Sequence, residues 1–248
     1  MNLDRMLLGQ VNMSTEETTN HRTRVAASRR EKTRAKLLES ALLVFARKGP
    51  HAVIEDVIAQ AGMARGSFYN YFRTNEELLA AVASEINDDL VRAIDPAVQR
   101  CTDPAERIAC GMRMLLHAVL RFPMVGTFMA RLPFPTANSR QLGLRFMGRD
   151  LALGIHAGRF RNISQRLAAD VAIGVVLGAA YAAACGPVER GYVDASARAL
   201  LRALGMGDTE AARVSGLPLP DFALPDSSLL RRTEVMHDRP SPPGLVSS

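Results

Sequence analysis

From residue 28 onward apolar positions recur every three or four residues, and apolar–polar alternation of the strand kind is nowhere sustained. Over residues 28–48, Leu37, Leu38, Ala41, Leu42 and Phe45 make one apolar stripe of a helix. Gly49-Pro50 ends it, because glycine accepts a left-handed C-terminal turn and proline cannot continue the ladder. A short helix over 53–61, closed by Gly62, and a third over 65–72 are expected to follow. Thr74-Asn-Glu-Glu77 has the spacing of a capping box, so a fourth helix begins there and carries Leu78, Leu79, Val82, Ile86 and Leu90 to about residue 94.

Asp103-Pro104 joins a capping side chain to a proline at the first helical position and opens a helix to about residue 122. A short helix broken by Pro133 and Pro135, one over 139–156, a small-residue helix from the Ser164 cap to residue 184, and one over 188–204 complete the pattern. A short piece over 209–214 fits too. Residues 216–248 hold six of the thirteen prolines with little periodicity and read as a mostly disordered tail. The fold class is therefore all-α. The expected division is a flexible basic arm (1–30), a small head of short helices (31–80), a larger helical body (81–215) and the Pro-rich tail (216–248).

Charge sharpens this division. The chain carries a net +6, and Arg22, Arg24, Arg29, Arg30, Lys32, Arg34 and Lys36, opposed only by Glu31, account for a +6 of their own. A basic excess so placed favours a polyanion. Cys101, Cys110 and Cys185 are odd in number and without CxxC spacing, so neither a disulfide framework nor a zinc site is indicated and a reduced, cytoplasmic setting is expected. The start of the chain lacks the basic-then-apolar order of a signal peptide and reads as a loose tail. The most apolar run, residues 171–185, is shorter than the roughly 20 residues of a bilayer span, so a buried helix is expected and no membrane partner. No metal-ligand grouping, Ser-His-Asp set or phosphate loop is evident, which points away from a metal, a cofactor and an enzyme.

The candidate chemistry lies in AGMARGSFYNYF, residues 61–72, with four aromatics in five positions of a chain that is 5% aromatic. On a wheel of about 100° per residue, Phe72 falls about 40° from Phe68, while Asn70 lies at about 200° between Gly66 and Ser67. Two phenylalanines thus face inward, and a small polar face flanked by Tyr69 and Tyr71 points outward. Asparagine can bond adenine N6 and N7 together, serine can reach several base edges, and tyrosine hydroxyls can donate to phosphates. Ala61-Gly62-Met63 supplies the glycine-containing turn of a helix-turn-helix.

KTRAKLLESALLVFARKG followed by IEDVIAQAGMARGSFYNYFRTNEELLAAV resembles the N-terminal DNA-binding region of the TetR-like transcriptional regulators over residues 32–82. Phe45-Ala-x-x-Gly49, Ala61-Gly62, Gly66-x-Phe68-Tyr69-x-Tyr71-Phe72 and Glu77-Leu78-Leu79 carry the resemblance. It implies a recognition helix over 63–72, with Arg65, Gly66, Ser67, Asn70 and Tyr71 toward DNA and Tyr69 on phosphate. This chain departs from the family in having Ala52-Val53-Ile54 at the start of the second helix, Ala64 for a frequent serine, and Asn75 for a phosphate-binding lysine, whose part Arg73 could take. Arg29, Arg30 and Arg34 could form a phosphate-binding or minor-groove arm, or only a solvated one.

The resemblance further implies a pocket for a small apolar effector in the body, for which Met112, His117, Phe128 and Phe146 are candidates beside ordinary core packing. Gly174, Gly178 and Ala182, at four-residue spacing, let another helix come close, either within the chain or in the homodimer the family typically forms. The expected function is a ligand-responsive regulator, most simply a repressor, binding a palindromic operator in double-stranded DNA. An activator, an effector-independent regulator and a nonspecific nucleoid-type protein remain as rivals.

Overall fold

The computed structural model describes residues 4–131, 142–221 and 223–237. Among the described residues there are helices and turns but no strand. The helices are α1 (Asp4–Lys48), α2 (Ile54–Ala61), α3 (Arg65–Tyr69), α4 (Asn75–Val98), α5 (Pro104–Arg121), α6 (Pro123–Arg131), α7 (Leu142–His156), α8 (Gln165–Cys185), α9 (Tyr192–Ala203), α10 (Asp208–Ser215) and α11 (Leu229–His237).

The C-terminal part of α1, with α2, α3 and the start of α4, encloses Leu37, Leu38, Leu42, Phe45, Val57, Phe68, Phe72, Leu78 and Val82. Each fully buried leucine or phenylalanine here contributes about 1.5–3 kcal/mol of transfer free energy. Gly62, at φ 59 and ψ 46, makes the left-handed turn after α2, and its amide bonds back to Ala59. Thr74 caps α4 by accepting from the Glu77 amide at 3.2 Å. Glu77 reaches back to the amide of Arg73, one residue before the cap, at 2.7 Å.

The head is not walled off from the body. The same apolar cluster continues along α4 through Ile86, Leu90 and Ile94 to Met114, Phe122 and Phe128, and the Phe45 and Phe128 rings lie 6.4 Å apart. The expected boundary at residues 80 and 81 therefore cuts both a helix and a core. A second cluster, with Met112, Leu116, Leu151, Phe160, Ala168, Ala172, Leu200, Leu201 and Leu204, joins α5, α7, α8 and α9. Asp103 caps α5 through the Ala105 amide at 3.0 Å and is gripped by Arg159, which also bonds Glu210 of α10 at 2.7 Å.

Four expectations change. The loose N-terminal tail is a continuation of α1, which starts at Asp4 rather than near residue 28; residues 4–27 contain no proline, so nothing breaks the ladder. The recognition helix is shorter, with regular helix ending at Tyr69 and Asn70 and Tyr71 in the turn beyond. The Pro-rich tail is partly built: Leu224, Leu229 and Leu230 lie in the core shared by α1 and α4, and α11 is helical. Finally, the apolar run over 171–185, expected to be a buried helix, lies in an α8 that buries only one face, with Ala168, Ala172, Ala179 and Ala180, and leaves the opposite face open.

Only 22% of the most apolar stretch of α8 is buried. By length and composition α8 would suit a membrane span, as would α5 and α6 taken together across their 109° bend. Its packing against α5, α6, α7 and α9 accounts for its alanine-rich inner face without a bilayer. Small residues there permit close approach: a Cβ added at Gly126 of α6 would sit 2.7 Å from the Ala184 Cβ.

Candidate functional site

Phe68 is fully buried and Phe72 nearly so, which anchors α3 from below. Above them Arg65, Gly66, Tyr69, Asn70 and Arg73 are exposed, while Ser67 and Tyr71 are half-buried. The Tyr69 ring stands edge-on to Phe68 at 5.4 Å, so its base is packed and its hydroxyl points outward. A Cβ built on Gly66 would meet nothing within 4 Å, so this face is open for another molecule.

Arg65 is held at the front of that face. Its Nη1 lies 3.3 Å from Glu55 of α2, its Nη2 lies 3.5 Å from the Tyr69 hydroxyl, and its guanidinium stands 5.8 Å from the Tyr69 ring centroid. The departures from the family pattern have structural consequences. Val53, at the N-cap of α2, offers no side-chain cap and is 55% exposed, so the first turn of α2 is closed only by backbone, the Asp56 amide donating to the Val53 carbonyl at 3.1 Å. Asn75 donates to the Pro50 carbonyl at 3.2 Å, tying the start of α4 to the loop after α1.

The three arm candidates separate. Arg29 and Arg30 are exposed beside Asn70 and Tyr71, in a groove that also includes Val25, Ala26 and Thr33. The Arg30 guanidinium lies 5.9 Å from the Tyr71 ring centroid, so α1 and the recognition segment form one continuous surface. Arg34 points elsewhere, pairing with Glu85 of α4 at 3.4 Å.

Within the body, α4 to α9 enclose a cavity of about 260 Å³. Ile86, Leu90, Ile94, Met112, Phe128 and Phe146 are among its apolar lining. Met112, Phe128 and Phe146 thus meet there, but His117 does not: it is exposed on the far side of α5 and outside the lining. Helix phase explains the difference, because five residues from Met112 is about 140° around α5.

The cavity has polar lining that residue type alone did not reveal. Asp150, 3% exposed, accepts from Arg107 Nη1 at 3.3 Å and from Arg149 Nε at 3.0 Å, and Asn87 and Asp95 of α4 also line the space. The available signal was Asp150 itself, an acid just before the apolar run 151–155 of α7.

On the outside of the body, Gly174 and Gly178 are exposed and Ala182 half-buried. A Cβ at either glycine would meet nothing within 4 Å. Leu167, 53% exposed, and Tyr181, 55% exposed, extend this apolar face.

A helix-turn-helix with an open polar face, carried on a helical body with its own cavity, is the build of a DNA-binding transcriptional regulator. The chain belongs to the TetR family. Residues 37–82 match the family model described as bacterial regulatory proteins, tetR family, and residues 103–216 match the tetracyclin repressor-like C-terminal domain.

Among solved structures, the chain is similar to RolR bound to resorcinol, with 30% identity, 79% of this chain and 100% of that one covered, and a TM-score of 0.61. RolR without ligand gives 31% identity, coverage of 77% and 100%, and a TM-score of 0.63. It is also 34% identical over 96 residues to the HTH-type transcriptional repressor LfrR of Mycolicibacterium smegmatis, covering 39% of this chain and 48% of that protein. The uncharacterized HTH-type regulator YfiR of Bacillus subtilis is 31% identical over 77 residues, covering 31% and 38%. The matched part thus spans less than half the length of these last two relatives.

Proposed function

We propose that the protein is a cytoplasmic, ligand-responsive repressor that binds a palindromic operator as a homodimer. Each subunit places Arg65, Gly66, Ser67, Asn70 and Tyr71 in a major groove, with Tyr69, Arg73, Arg29 and Arg30 on the sugar-phosphate backbone. The observation that carries this reading is the continuity of α4, whose first turn supports the recognition segment and whose middle turns line the cavity. A ligand that prefers one setting of α4 changes the spacing of the two recognition helices, and it can do so only by its differential affinity. The open face of α8 bearing Gly174, Gly178 and Ala182 pairs with its copy in a second chain.

The cavity favours a small, neutral, hydroxylated aromatic effector. At about 260 Å³ it lies just below the roughly 300–1,000 Å³ of pockets for drug-sized ligands, which suits a single ring. Asp150 and Asp95 can accept from a hydroxyl, and Arg107 can donate to one. RolR, seen with resorcinol, supports that class.

Selection of operator sequences from random DNA, followed by footprinting and titration with resorcinol and other phenols, tests the proposal. A protected palindrome released by a phenol is expected. Uniform protection without a palindrome would mean nonspecific binding and end the regulator reading; a palindrome that no phenol releases would end the effector assignment alone.

A further inference from the structure

The C-terminal segment lies beyond both matched family regions, yet it is built into the junction of head and body. Its first tie is on α5, where the Leu217 carbonyl accepts from Arg113 Nη1 at 2.6 Å. The chain then enters the core, with Leu224 8%, Leu229 0% and Leu230 1% exposed. Ser228 caps α11 by accepting from the Arg231 amide at 3.2 Å. The Leu229 amide, a first-turn donor with no partner inside its own helix, donates to Asp89 Oδ2 of α4 at 2.6 Å.

Two further ties reach the neighbours. Arg232 Nε meets Glu39 Oε1 of α1 at 2.6 Å, and Glu234 lies 3.8 Å from Arg121 of α5. The Thr233 hydroxyl, buried, is satisfied within α11 by the Leu229 carbonyl at 2.8 Å. One short helix is thus bonded to α1 and α4, which pack on each other, with an exposed ion pair to α5. On α4, Ile86, Leu90, Val91 and Ile94 line the cavity while Asp89, on another face, holds α11.

We propose that residues 217–221 and 223–234 are a strap that locks the DNA-reading head onto the body in one setting, so that a movement of α4 started in the cavity must work against it. The inference rests on the regulator reading for its consequence in DNA binding, but its structural content is independent of DNA and ligand. A head held in place by the strap is pre-organised, and pre-organisation raises affinity by lowering the cost of ordering on binding.

Hydrogen exchange read by mass spectrometry on the full chain, without DNA or effector, compares the wild type with Arg232→Glu, with the Glu39→Arg/Arg232→Glu pair, and with a chain ending at Gly216. In Arg232→Glu and the shortened chain, exchange in residues 37–48 of α1 and 86–94 of α4 should quicken about tenfold or more while α9 keeps its rate, and the double variant should return to wild-type rates. Unchanged exchange in α1 and α4, no recovery in the double variant, or equal acceleration of α9 in Arg232→Glu would each overturn the strap. On a selected operator, Arg232→Glu should bind about tenfold more weakly and the double variant recover, whereas unaltered affinity removes the strap's role in DNA binding. If no operator can be selected, the regulator reading fails while the exchange result stands.

Discussion

Asn70 and Asp89 show how differently two polar side chains can be used in one chain. Asn70 is exposed just past the end of α3 and bears no structural bond of its own side chain. Replacing it with alanine should leave the unfolding midpoint unchanged and reduce specific operator affinity by about 1–3 kcal/mol. Equal affinity in a binding titration would remove it from base readout.

Asp89 is 4% exposed. Burial pushes its carboxyl pKa up and nearby Glu85 adds to that, against the Leu229 amide, Arg92 and Arg232, which favour the charge. A carboxyl whose folded-state pKa is raised contributes stability that is full below its unfolded pKa and is lost as pH rises through the folded one. At neutral pH its ionised form is therefore a net cost. Asp89→Asn keeps an oxygen for the Leu229 amide without the charge, and should unfold at equal or higher urea than the wild type at pH 7. The difference should close as pH falls through the raised pKa; a difference that widens in acid would contradict the assignment.

At the scale of elements, the head was largely legible because its signals are local. Phe68 and Phe72 on one side of a turn of helix, Gly62 at the left-handed position and Thr74 at a cap need only neighbours to act. The C-terminal helix was not, because its ties are distant in the chain: the Leu229 amide bonds Asp89, 140 residues away, and Arg232 bonds Glu39, 193 residues away. The cavity was half legible: methionines and phenylalanines advertise apolar space, whereas the burial of Asp150 with Arg107 depends on α5 meeting α7. The start of α1 is not legible from the absence of a signal-peptide order, which suggests a loose tail; the stretch contains no proline, and the helix runs on through it.

The element-scale prediction concerns α8. Since a Cβ at Gly178 meets nothing within 4 Å in its own chain and the residue is exposed, Gly178→Leu should fold normally. In the proposed pairing it collides with the second copy, so sedimentation should find monomers; a stable dimer would place the interface elsewhere.

For the whole molecule the decisive quantity is the salt dependence of DNA binding. Removing residues 1–30 takes away the N-terminal part of α1 with Arg29 and Arg30, which stand beside Asn70 and Tyr71. The slope of log affinity against log salt should shrink by about 0.9 for each DNA phosphate that the shortened chain no longer neutralises. An identical slope would mean that the basic segment touches no phosphate.

The open apolar face of α8 has a thermodynamic consequence as well. Leu167 and Tyr181 remain more than half in water in a single chain, so if pairing covers them, folding and association draw on the same surface. Mass action then makes stability a property of the solution: the melting midpoint should climb with protein concentration, and dilution should act on this molecule much as warming does.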